Sequence, residues 1–124
     1  MKGIEMWIDS ILEKPLPEEI VAVAFNLYED EGNRWSVELV GCGGFDAEDS
    51  DWACDEVFDI RDNPLSWAQD ATWEVILREV ADAVREYLRT GKYCERLKSC
   101  MGVGVGFVDG DLTVVYRRQE ADFE

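Results

Sequence analysis

The chain contains no histidine. That removes Ser-His-Asp and Cys-His catalytic designs, histidine-ligated zinc and the commonest general base. Basic residues are few: 12 Lys and Arg stand against 28 Asp and Glu, a net charge of −16 in 124 residues. The usual magnitude for a small soluble domain is about 2 to 8, so this charge costs stability by self-repulsion. Nucleic acid and anionic membranes are poor partners for such a field, and a basic protein is a good one. No apolar run approaches the roughly 18 residues that a membrane span needs. The first residues, MKGIEMWIDSILEK, interrupt their apolar positions with acids and do not read as a signal peptide. The four cysteines, Cys42, Cys54, Cys94 and Cys100, follow no C-x-x-C spacing, so neither a zinc knuckle nor a disulfide framework is indicated. Reduced thiols in a bacterial cytoplasm are the expectation. No phosphate-binding G-x-x-x-x-G-K-[ST] loop is present.

What is abundant is acid, and it is unevenly placed. Residues 1–62 hold 17 acids and 4 bases, whereas residues 63–124 hold 11 acids and 8 bases. Six of the bases lie between Arg78 and Lys98. The densest stretch, FDAEDSDWACDEVFDIRD at 45–62, carries eight carboxylates against Arg61 alone, together with Phe45, Trp52, Val57, Phe58 and Ile60. Disordered solvating segments are depleted in aromatics, so this excursion is expected to be ordered and to present charge. Asp49, Asp51, Asp55, Glu56 and Asp59 are the candidate steering charges, and Trp52 and Phe58 the candidate aromatic anchors.

The same acids admit two other uses. Asp46, Glu48, Asp49 and Asp51 are hard oxygen ligands suited to calcium, but an EF-hand register begun at Asp49 puts Ala53 at position 5 and Ile60 at position 12. A carboxylate pair acting as acid and base needs only two such groups, and 28 acids supply pairs everywhere by chance. Neither metal, cofactor nor catalytic residues are assigned.

The remainder reads as one α+β domain over 1–124. Ile4, Trp7, Ile8, Ile11 and Leu12 recur at helical spacing and stop before Pro15 and Pro17. Residues 20–31 and 34–42 alternate like strands around Glu31-Gly32-Asn33, a hairpin. Asn63-Pro64 closes the acidic stretch, and Ser66 or Asp70 can cap the next helix. That helix places Trp73, Ile76, Leu77, Val80, Val84, Tyr87 and Leu88 on one face, with Gly91 as a left-handed cap. Residues 92–99 form a short further helix. A second hairpin follows, with Asp109-Gly110 at its turn and Gly102, Gly104 and Gly106 on one face, where helix 70–90 can approach closely. Residues 119–124 read as a frayed tail. The expected order is α-β-β-α-α-β-β: a four-stranded antiparallel sheet made of two hairpins, with helices on one face.

The ending GVGVGFVDGDLTVVY, in a small, acidic, histidine-free α+β chain, resembles that of immunity proteins of bacterial polymorphic-toxin and contact-dependent inhibition systems. The resemblance implies a non-enzymatic inhibitor that occludes a basic toxin domain. It carries over no site residues. Alternatives are a nucleic-acid mimic that fills a DNA-binding protein's groove and a calcium-binding module.

Overall fold

The first helix, α1 (Ile4–Leu12), buries Ile4, Trp7, Ile8, Ile11 and Leu12 and leaves Met6 in water on its far side. It ends where Pro15 and Pro17 forbid continuation. The Arg96 guanidinium donates to the Leu12 carbonyl, one of the acceptors that a helix end leaves open. The structure is a computed structural model that describes residues 3–46, 52, 56–59, 64–108, 110 and 112–118. The sequence-predicted turn residue Asp109, Cys54 and the 119–124 tail lie outside them.

The expected first hairpin is present. Strands β1 (Ala22–Asp30) and β2 (Arg34–Cys42) pair antiparallel from Ala22 opposite Cys42 to Asp30 opposite Arg34. Its turn works because Gly32 and Asn33 both take left-handed φ, at 71° and 58°, a conformation in which glycine and asparagine are the least strained residues. Alternation sends Val23, Phe25 and Leu27 to the helical side and Ala22 and Ala24 to the other.

The sheet itself departs from expectation. It is a mixed sheet of six strands, not a four-stranded antiparallel one. Two short strands, β3 (Glu56–Asp59) and β4 (Leu65–Ala68), follow β2, so the order is α-β-β-β-β-α-α-β-β. Both pair with β2 on its outer side: β4 along Arg34–Val37, β3 along Val40–Cys42 with a bulge. A nine-residue strand otherwise presents a row of unpaired backbone groups, and two four-residue strands cover it in succession. Ser66 therefore belongs to β4, and the cap position of α2 (Trp73–Thr90) falls to Thr72, with no side-chain capping bond.

The second correction concerns how the hairpins meet. Strands β5 (Gly102–Phe107) and β6 (Thr113–Arg117) form the expected hairpin, yet β5 lies parallel to β1, from Ala22 beside Gly102 to Leu27 beside Phe107. The order across the sheet is β3-β2-β1-β5-β6. Parallel neighbours need a long crossover, and α2 with α3 (Cys94–Lys98) supplies it on the face that α1 also covers. Ile76, Val80, Val84 and Leu88 of α2 pack there against Val103, Val105, Phe25 and Leu39, each fully buried side chain contributing about 1.5–3 kcal/mol.

Gly91 closes α2 in extended conformation, φ −66° and ψ 151°, not as the left-handed cap that its position suggested. A Cβ there would lie 2.6 Å from the Tyr87 ring. Close approach, not backbone handedness, calls for glycine.

Candidate functional site

The opposite face of the sheet is where the acidic stretch attaches. Ala22, Ala24, Val40 and Cys42 offer only short side chains there, and Trp52, Phe45 and Leu112 fill the space above them. Phe45 and Trp52 meet edge to face at 5.1 Å, a geometry favoured by the ring quadrupoles. The alternating glycines of β5 complete the seat. A Cβ at Gly102 would stand 2.1 Å from the Phe45 ring, and one at Gly104 would stand 2.8 Å from Leu112. The helix expected over those glycines packs on the other face; the first aromatic of the acidic excursion takes its place.

The nominated residues divide accordingly. Trp52 is only 6 % exposed and serves the second core. Its indole N–H has no hydrogen-bond partner among the described residues. Phe58 is half-buried on β3, opposite Gly41, where its Cβ would lie 3.3 Å from a Cβ added to that glycine. Glu56 and Val57 are exposed on the same strand. Asp59 pairs opposite Val40 in the ladder. Asp49, Asp51 and Asp55 lie outside the described residues. Part of the acidic stretch is thus an edge strand that follows two rings seated on the sheet, Phe45 and Trp52, and presents Glu56 and Val57 to solvent.

The bases are largely spent near home. Arg85 pairs with Asp82 at 3.1 Å and Arg89 with Glu86 at 2.9 Å, both exposed (i, i+3) contacts along α2. Such pairs contribute a few tenths of a kcal/mol, but they hold cation beside anion and leave that helix near neutral. Lys92 and Arg96 lie over the Tyr93 ring, Arg96 at 4.6 Å.

Several titratable groups lie in the interior. Glu38 is buried on the second face opposite Asn26 and accepts from the Tyr28 hydroxyl. The Tyr87 hydroxyl donates to Asp9 at 2.6 Å and accepts from the Tyr93 backbone N–H at 3.2 Å, tying α2 to α1 and α3. Burial, reinforced by the bond to Asp9, pushes its pKa well above the ordinary value. Burial likewise pushes the Cys100 thiol up to about 11. Cys94 and Cys100 are free thiols. Among the described residues, no three Cys, Asp or Glu side chains gather as a metal cluster would require. No helix of the described residues is long and apolar enough to cross a membrane.

A second feature has no signal in the sequence. Where β1 and β5 end, beside the first turn of α2, a groove of about 800 Å³ opens. Leu27, Leu77, Phe107 and Trp73 form its apolar walls, and Glu29 and Thr113 stand with them. Its size is that of a ligand pocket, about 300–1,000 Å³. Trp73 begins the apolar face predicted for α2 but is 53 % exposed. The helical pattern predicted its direction, but at the first residue of α2 the described residues leave it half in water.

Compared with known protein families, curated proteins and solved structures, the chain matches none of them. What it does has to be argued from its own surface.

Proposed function

We propose that the chain is a non-enzymatic inhibitor of a basic protein, of the immunity type, which covers a toxin domain with the acidic surface of residues 45–62. The observation that carries this reading is the concentration of eight carboxylates against one base in that stretch, within a half-chain of 17 acids and 4 bases. Such a field raises the rate of encounter with a cationic partner, up to roughly 10⁸–10⁹ M⁻¹s⁻¹ at low salt. Asp49, Asp51, Asp55, Glu56 and Asp59 supply the field, while the Phe45–Trp52 pair holds the stretch to the sheet and spares part of the ordering cost of binding. Val57, exposed beside Glu56, is the apolar contact that the same strand offers.

The test uses the basic protein encoded beside this chain's gene. Reversing Asp55 and Glu56 to Lys is expected to slow association by at least about tenfold at low salt and to have little effect at high salt, where exposed charges are screened. Unchanged rate and affinity at low salt would remove 45–62 as the contact surface.

A further inference from the structure

The groove beside Trp73 contains more than an unfilled apolar hollow. Its aromatic wall is braced from behind. The Trp35 indole N–H donates to the Gln69 carbonyl at 2.9 Å, and the Gln69 side chain joins Trp67 and Glu79 at 3.0 and 2.8 Å. Phe107 meets Trp35 edge to face at 6.0 Å and meets Trp73 nearly perpendicularly, at 88° and 6.2 Å. Three rings therefore stand in a fixed row, and the outermost is half in water. Glu29 lies directly opposite Trp35 in the β1–β2 register, so the two side chains share the helical face, and it is exposed. Among the described residues that line the groove, Glu29 is the only charged one. The first turn of α2 carries Glu74, and Asp70 precedes it; both offset the positive end of the helix, which would repel a cation. In sequence, Gly110 of the groove lies between Asp109 and Asp111.

An exposed indole face, a perpendicular ring and, among the described lining residues, one carboxylate match one side chain best. Arginine has an apolar stem for Leu77 and Phe107, a planar guanidinium that stacks on indole, and a charge for Glu29. We infer that the groove formed by Leu27, Glu29, Trp73, Leu77 and Phe107 takes an arginine, flanked by apolar residues, from an extended segment of the partner. The inference rests on the reading that the partner is a basic protein, since that is what supplies the arginine. The groove's volume suits a short segment, not one side chain alone. Contact here adds a second foothold, made by different residues from those of the acidic stretch.

The experiment uses the intact chain and two capped tripeptides, leucine-arginine-leucine and leucine-glutamine-leucine, at constant ionic strength. Five tryptophans give five indole N–H resonances, and the arginine peptide is expected to shift that of Trp73 in a saturable way. It should bind up to about fivefold tighter than the glutamine peptide, the upper end of what an exposed ion pair contributes. Glu29→Gln should close most of that gap while the arginine peptide still shifts Trp73. Trp73→Ala should abolish the groove's response and leave the other four indole signals in place, which shows that the fold survives. Equal binding of both peptides, or no movement of Trp73 with either, overturns the inference. That failure is separate from failure of the acidic-surface reading, which the Asp55 and Glu56 reversal tests without using the groove.

Discussion

Replacing Gly102 by alanine tests how the acidic stretch is fastened. The added Cβ would sit 2.1 Å from one edge atom of the Phe45 ring and 2.5 Å from the next. Real Cβ contacts begin well beyond that, so the ring must leave its seat. The atoms struck are at the far end of a side chain, so the backbone of β5 can stay and the cost is that of overpacking, about 1–3 kcal/mol. Displacing Phe45 also removes its edge-to-face contact with Trp52, worth about 0.5–1.5 kcal/mol beyond the buried area. A double-mutant cycle isolates the cause. In a Phe45→Ala background the obstacle is gone, and Gly102→Ala should then be neutral or stabilising by about 0.4–1 kcal/mol, because alanine restricts the unfolded chain more than glycine does. The expected coupling is therefore about 1.5–5.5 kcal/mol. Urea unfolding followed by far-ultraviolet circular dichroism measures all four species, and equal slopes against urea license the comparison. If Gly102→Ala costs the same with and without Phe45, the ring does not cover β5, and the account of how the acidic stretch is held is wrong.

Gly91→Ala should destabilise by about 1–3 kcal/mol in the same assay, since its Cβ meets the ring of Tyr87 at 2.6 Å and Tyr87 is itself bonded to Asp9. Tyr87→Phe, which keeps the ring and loses a bond to a charged acceptor, should cost about 1.5–3 kcal/mol at neutral pH. The folded state holds the Tyr87 proton more tightly than the unfolded chain does, so this contribution is complete below about pH 10 and falls as pH rises beyond it. The gap between wild type and Tyr87→Phe should therefore narrow above that pH; a gap independent of alkali refutes the assignment. Cys100, with its thiol held up to about 11 by burial, should resist alkylation at pH 8 in the native protein and react once urea unfolds it. Mass spectrometry of the labelled peptide reads this directly.

Much of the local structure was legible without coordinates. Trp7 lies in the core, as the period of α1 required; the Glu31-Gly32-Asn33 turn joins β1 to β2; and the buried stripe of α2 from Ile76 to Leu88 follows the 3, 4, 7 spacing. These are short-range consequences of side-chain period and turn chemistry, and they need no knowledge of neighbours. Strand β4 was not legible, because four residues, LSWA, carry no usable period and become a strand only where the edge of β2 is open to them. The parallel pairing of β1 with β5 was equally invisible, since strand alternation is the same for either direction of neighbour.

The sequence by itself determined the charge, its crowding into residues 45–62 and the identity of the helices, because these follow from composition and from contacts within a few residues. Tertiary structure alone decided what the rings do. Trp52 was equally compatible with solvent and core until Phe45 and the bare face of β5 gave it a place to bury. Trp73 falls on the apolar face of α2 by spacing, yet at the first residue of the helix it stays half exposed. Burial of a residue at the boundary of an element depends on what long-range packing places above it, and local pattern carries no information about that.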